Sequence, residues 1–424
     1  MYVFQGENPT VLQLEMLNSL MSDGDECTPR GKKIKELRPV AVEFFNPLRR
    51  VTFLRGRRIN PFFQLAESLW IISGHSDVAF LDLFNKNMVS FSDDGKFFNA
   101  SYGERIRSFG KNDLHKIIYN PVDQLEDVYL KLVSDKDSRQ AVIVISHPQF
   151  DNSSYTVGEQ GKDIACNLII TFKIRHNKLH MVVFNRSNDI LWGLFGANLC
   201  QFTTLQELLA SWLGVEVGSY HQVTDSLHLY TDTYGSGEND TIFNLHLGLK
   251  DGTYSTWDFV DAEENTWWDF KTEPRMSMTK EVFDVFVEFF WDSIAPKMFS
   301  EEFITGEENV EKLLNVLHTD ENYLNLCDDY WRMAISAMFV YRLVRCKQMA
   351  RALQVLRAFV PDCSWKVSMM YFLKTMIEKR HLENKEVVDC YQDIVEDFSA
   401  SGNLVNESEA LEKYLDLERG ADND

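Results

Sequence analysis

Two nine-residue runs, CNLIITFKI (166–174) and KLHMVVFNR (178–186), flank the turn-like tripeptide RHN at 175–177. Both are rich in β-branched and aromatic residues. A short polar turn between such runs commits them to an antiparallel hairpin. RQAVIVISH (139–147) upstream and SYHQVTDSLHLY (219–230) downstream have the same texture, so the middle of the chain must build a sheet.

Helical patterns border that sheet. INPFFQLAESLWIISG (59–74) reads as a helix closed by Gly74. Residues 199–213 set Phe202, Leu205, Leu208, Leu209 and Trp212 on one helical face before Gly214. PVAVEFF and RRVTFL, within 36–56, read as strands. From about 278 the pattern is almost wholly helical, as in EVFDVFVEFFWDSI. The reading is an α+β body over 1–275 and an α-helical extension over 276–424, whose acidic tail, 406–424, is expected to fray.

A net charge of −21 argues against a broad nucleic-acid or anionic-membrane surface, so any anionic substrate needs local cations. No apolar run reaches the length of a membrane span. The opening MYVFQGENPT lacks the basic and apolar regions of a secretory leader. Seven dispersed cysteines, with no CxxC pair and no zinc-like His spacing, read as reduced thiols of a cytoplasmic protein without a metal site.

Cys166 opens the first hairpin strand, where a cysteine is most often a small buried hydrophobe. Arg186 and Ser187 close the second strand. They are either a strand end reaching water or a guanidinium and a hydroxyl clamping a phosphate. A cation there would also lower the thiol pKa and expose a thiolate. Asn198, before the apolar helix, is a helix cap or a carboxamide able to match the O4 acceptor and N3–H donor of uracil. Glu67 stands mid-helix among apolar neighbours, where a buried carboxyl has a raised pKa and can shuttle protons. His228 and Tyr230 alternate onto one strand face and can bond a sugar hydroxyl. Arg30 lies in the loop TPRGKK.

The ordered set resembles the thymidylate synthase family, which includes the pyrimidine-nucleotide hydroxymethylases. The resemblance covers about residues 28–232. Cys166 stands at the family's separation from Arg186-Ser187-Asn188-Asp189, and Gly193, Asn198, His228 and Tyr230 follow in family order, with one inserted residue before Asn198. Upstream, Arg30, the ESLW helix with Glu67 and Trp70, Tyr102-Gly103, and Arg139 of DSRQ match as well.

The resemblance implies a mostly antiparallel sheet packed with helices and an obligate homodimer with shared active sites. It implies that Cys166 adds to C6 of a uridylate. Arg30, Arg186 and Ser187 would hold the 5′-phosphate, with Arg139 reaching it from the partner subunit. Asn198 would read the base, His228 and Tyr230 the 3′-hydroxyl and Asp189 the pterin, while Glu67 and Tyr102 move protons. The carbon would come from 5,10-methylenetetrahydrofolate.

Several departures bear on the product. The family's Pro-Cys-His is Ala165-Cys166-Asn167, and the second arginine of its DSRR is Gln140. The shielding tryptophan has no counterpart in 85–101, and the family's C-terminal tail is unrecognisable. Hydride delivered to an exocyclic methylene gives a methyl group, whereas water gives a hydroxymethyl group, so lost shielding favours hydroxymethylation. A divergent thymidylate synthase, and a catalytically reduced nucleotide-binding regulatory or interaction protein, are the competing readings.

Overall fold

The structure is a computed structural model. It describes residues 1–54, 57, 59–111, 117–151, 163–234, 270–271, 273–382, 384–401 and 415. Apart from Leu415 the acidic tail lies outside these residues, as does 402–405 before it. The chain separates into two compact units: Met1–Arg57 with Glu67–Asn265, and Arg58–Ala66 with Thr266–Asp424.

In chain order the strands are β1 (Tyr2–Gly6), β2 (Asp25–Cys27), β3 (Ile34–Leu37), β4 (Val40–Phe44), β5 (Phe109–Lys111), β6 (Ile117–Val122), β7 (Val142–Val144), β8 (Asn167–Arg175), β9 (Lys178–Asn185), β10 (Asn188–Asp189), β11 (Glu216–Thr224) and β12 (Leu227–Tyr230). The main sheet is six-stranded, ordered β1-β4-β11-β9-β8-β7. Its β1/β4 and β11/β9 pairings are parallel and the rest antiparallel. A second sheet runs β10-β12-β3-β2, and β5 pairs with β6. Packed with helices, this is an α+β fold.

The hairpin forms as read. His176 and Asn177 both take positive φ, 51° and 57°, the backbone of a two-residue turn whose twist matches the flanking strands. The helix Leu199–Leu213 ends on Gly214 at φ 62°, and Pro61–Ile72 is followed by Gly74 at φ 82°.

Two segments differ from the reading. RRVTFL forms no strand: Arg50 is drawn inward to Glu207 and Thr204, and the Phe53 N–H donates to Thr10 Oγ1 at 2.9 Å instead of joining a ladder. SYHQVTDSLHLY is not one strand but parts of two, breaking at Asp225-Ser226 so that β11 and β12 enter different sheets.

The second unit is helical over its described length after 279. Its helix Asp329–Arg345 is buried on nearly every face, which explains its lack of a polar stripe. Asp328 caps it, accepting from Trp331 N at 3.1 Å and from Ser277 N at 2.8 Å. Phe62 packs in the same unit, its ring centroid 5.3 Å from that of Tyr341 and 5.8 Å from that of Phe372. Among the described residues, no helix is long and apolar enough to cross a membrane, and no group of His, Cys, Asp and Glu is placed to hold a metal ion.

Candidate active site

Hairpin register brings the first two candidates together. Asn167 pairs with Asn185, but a bulge between Asn167 and Ile169 shifts the register against the rest of β8 and β9. Continued without the bulge, the hairpin would set Ser187 across from Cys166. With it, Arg186 N–H donates to Cys166 O at 3.0 Å. The guanidinium is anchored by Nε to Ala165 O at 2.9 Å and by Nη2 to Ile164 O at 3.1 Å. That leaves Nη2 3.7 Å from Cys166 Sγ. Ser187 beside it is half-buried.

The expected thiolate is not favoured. Burial pushes the Cys166 thiol up, against the lowering effects of Arg186 and Arg30, and the net shift is upward. The cations are in place; desolvation outweighs them.

Behind the thiol runs a chain of amides. Tyr220 Oη donates to Gln222 Oε1 (3.0 Å), and Gln222 Nε2 to Asn185 Oδ1 (2.8 Å). Asn185 Nδ2 donates to Asn167 Oδ1, and Asn167 Nδ2 to Asn198 Oδ1 (3.4 Å). Asn198 Nδ2 then donates to Asn188 Oδ1 at 3.2 Å. Every amide from Gln222 to Asn198 accepts from one neighbour and donates to the next, so Asn198 has a defined orientation. An amide has two donor hydrogens and two acceptor sites, so Asn198 keeps one of each for a base edge. Its side chain makes no cap hydrogen bond to the following helix, so the capping role is not the one it plays.

The inserted residue before Asn198 also has a structural place. Ile190–Asn198 is a π-helix, whose i→i+5 bonds hold an extra residue per turn, and such segments gather at functional sites. Asp189 caps it, accepting from Leu191 N at 2.7 Å and Trp192 N at 2.6 Å, both on Oδ1. A Cβ on Gly193 would lie 2.3 Å from Asn188 Oδ1 and displace the amide that accepts from Asn198.

Glu67 and Tyr102 meet in one cavity of about 130 Å³. Its walls include Trp70, Met88 and Phe98, so the segment 85–101 contributes apolar cover but no indole. Burial raises Glu67 to about 7, against the lowering hydrogen bond donated by Gln201. Tyr102 faces the backbone N–H groups of Cys166 and Asn167, and burial holds its phenol protonated. Gly103 lets its helix approach the chain at Ile71 and His75, where a Cβ would lie 2.8 Å from both carbonyl oxygens.

On the other side, β10 pairs with β12 and sets Asp189 opposite His228. Burial lowers the His228 pKa and raises that of Asp189. Tyr230 stacks edge-on to His228, centroids 5.1 Å apart, and accepts from Arg30. Arg30 sits at φ 52°, a left-handed conformation uncommon for arginine. Arg139 is not brought to Cys166 in this chain. It is exposed and lines a surface hollow with Lys131, Asp135 and Gln140.

The sequence reading missed Gln201, Asp163, Arg105 and Asp151. Gln201 lay inside an apolar helical run. Arg105 forms a two-pronged buried pair with Asp151 (2.7 and 2.9 Å) and also donates to Asn99 O (3.1 Å), which fixes the helix Tyr102–Arg107. No local pattern marks a pair separated by so much chain.

Residues 14–241 match the sequence model of the thymidylate synthase family. A deoxyuridylate hydroxymethyltransferase of Bacillus phage SP01 is 45% identical over 374 residues, 88% of this chain and 94% of that protein. A protein of that name from Pseudomonas phage M6 is 38% identical over 195 residues, 46% of this chain and 51% of its own. Another, from Delftia phage PhiW-14, is 32% identical over 216 residues, 48% and 57% of the two chains. With the thiol, the guanidinium, the oriented amide and the buried glutamate in one unit, these matches place the chain in the thymidylate synthase family.

Proposed function

We propose that this protein transfers a one-carbon unit to C5 of deoxyuridylate and releases the 5-hydroxymethyl nucleotide. The observation that carries the reading is a thiol 3.7 Å from a guanidinium whose strand neighbours orient a base-reading amide. Similarity along most of the chain to a deoxyuridylate hydroxymethyltransferase supports the hydroxymethyl outcome.

Cys166 adds to C6 of the ring, making C5 nucleophilic. Arg30, Arg186 and Ser187 hold the 5′-phosphate, and His228 and Tyr230 the 3′-hydroxyl. Asn198 donates to O4 and accepts from N3–H. Glu67, poised near neutrality, can both give and take a proton at working pH, and Tyr102 sits beside it in the same cavity.

Bound 5,10-methylenetetrahydrofolate supplies the carbon. The site suits a flat, hydrogen-bonding cofactor: both backbone contacts of Asp189 fall on Oδ1, leaving Oδ2 for a pterin donor. Phe91 and Trp192 present a stacked, half-exposed aromatic pair, centroids 6.3 Å apart.

We infer a homodimer through the main sheet. Ile169 and Phe184, paired across β8 and β9, expose 37% and 38% of their surface on that sheet, an apolar pair that a second copy would cover. Arg139, remote from its own thiol, would complete the partner's phosphate site. Seven free cysteines suit a reducing cytoplasm.

Product mass after turnover with deoxyuridylate and methylenetetrahydrofolate tests the reading. A hydroxymethyl nucleotide with tetrahydrofolate is expected. A methyl nucleotide with stoichiometric dihydrofolate would refute it.

A further inference from the structure

The Glu67 cavity contains a second carboxyl that the roles above leave unused. Asp163, three residues before Cys166, lines the same cavity as Glu67 and Tyr102. It is partly buried and accepts from Ala100 N at 3.2 Å. The surrounding wall is otherwise largely apolar: Ile71, Leu81, Met88 and Phe98. The backbone N–H groups of Ala100 and Asn99 hold the carboxyl at that wall, where it faces the same space as Glu67 and Tyr102. At about 30 Å³ per molecule, the space accommodates a few waters within its roughly 130 Å³.

We propose that Asp163 is a further catalytic residue, the base that takes a proton from the water adding to the nucleotide's exocyclic methylene. This inference rests on the hydroxymethylation reading. The water oxygen forms a bond to the methylene carbon, and the C5–methylene π pair moves into the ring as an enolate. The water proton passes to Asp163. The enolate then collapses, forming C5=C6 and expelling Cys166 as thiolate. No electron donor or acceptor is consumed, so the folate leaves as tetrahydrofolate.

The cavity's other titratable groups are assigned elsewhere. Glu67 is bound to Gln201, and Tyr102 is held protonated by burial. Burial raises Asp163 to about 6, opposed by the N–H groups of Ala100 and Asn99 and by Arg105. At neutral pH it is therefore mostly an ionised carboxylate, and a stronger base than an exposed one.

The test is D163N, which keeps an oxygen acceptor for Ala100 N–H, with D163S as a second, shorter variant. Two readouts are compared in the full-length protein: tritium release from C5-labelled deoxyuridylate, which precedes water addition, and hydroxymethyl product by mass. Product formation should fall about 100-fold, the usual scale for losing a general base, while tritium release stays within a few-fold of wild type. Parallel loss of both would make Asp163 a clamp for the 99–101 loop and overturn the proposal. So would product formation within threefold of wild type in either variant. Wild-type enzyme yielding methyl nucleotide and dihydrofolate would sink the underlying reading as well, and is seen without any variant.

Discussion

Replacing Glu67 by Gln separates what this residue does for folding from what it does for turnover. Glu67 is buried and its pKa is raised from 4.5 to about 7. The folded state therefore binds the proton more tightly than the unfolded state does. The resulting stability is fully present below about pH 4.5 and is lost as pH rises through about 7. Between pH 5 and pH 8.5 a pKa shift of this size removes about 2.5 kcal/mol. The amide introduced by E67Q cannot ionise, so the variant lacks this loss. It also offers an Nε2 donor to Gln201 Oε1, a buried acceptor without a partner among the described residues. Urea denaturation of both proteins at the two pH values checks this. The stability of E67Q relative to wild type should rise by about 2.5 kcal/mol from pH 5 to pH 8.5, with the other carboxyls cancelling in the difference. Turnover should fall by about 10² or more, the scale of general acid–base catalysis. Parallel pH profiles for the two proteins would mean that Glu67 is solvated, and the proton role argued for it would go with that.

Cys166→Ala should abolish turnover while leaving nucleotide binding within a few-fold by calorimetry, and it should form no covalent adduct with 5-fluorodeoxyuridylate and folate; measurable turnover would remove the nucleophile assignment. Asn198→Asp should shift kcat/KM toward cytosine nucleotides by about 1–3 kcal/mol, roughly 5- to 150-fold, because a protonated carboxyl reverses the amide's pattern. Asn188, by turning its amide, can still donate to the new group; a wild type that already prefers cytidylate would refute the base assignment. Asn167→Ala leaves Asn185 Nδ2 and Asn198 Oδ1 without their shared partner and should cost about 2–4 kcal/mol in urea denaturation; a neutral effect would mean that the amide chain holds nothing in place. Mixing Arg139→Ala with Cys166→Ala should restore activity through mixed dimers, and no recovery after verified subunit exchange would place Arg139 outside the partner's site.

The sequence by itself determined the elements and the chemistry on offer. The β-branched runs around RHN could only form a hairpin, and its ends carry Cys166 and Arg186 whatever surrounds them. Gly74 and Gly214 marked helix ends because their left-handed backbone is open to glycine and costly for other residues. An order of residue types along the chain was enough for the family. Tertiary structure decided the rest, because it depends on which distant groups share a desolvated space. A single bulge chooses Arg186 over Ser187 as the residue facing the thiol. Burial turns Cys166 upward in pKa despite two cations, and a balance between desolvation and charge cannot be read from spacing. Asn167, which stood in the sequence only as a departure from histidine, becomes the link that aims Asn198. Asp163 carried no signal at all, since only folding brings it to the cavity of Glu67, where its low-dielectric surroundings make it a candidate base.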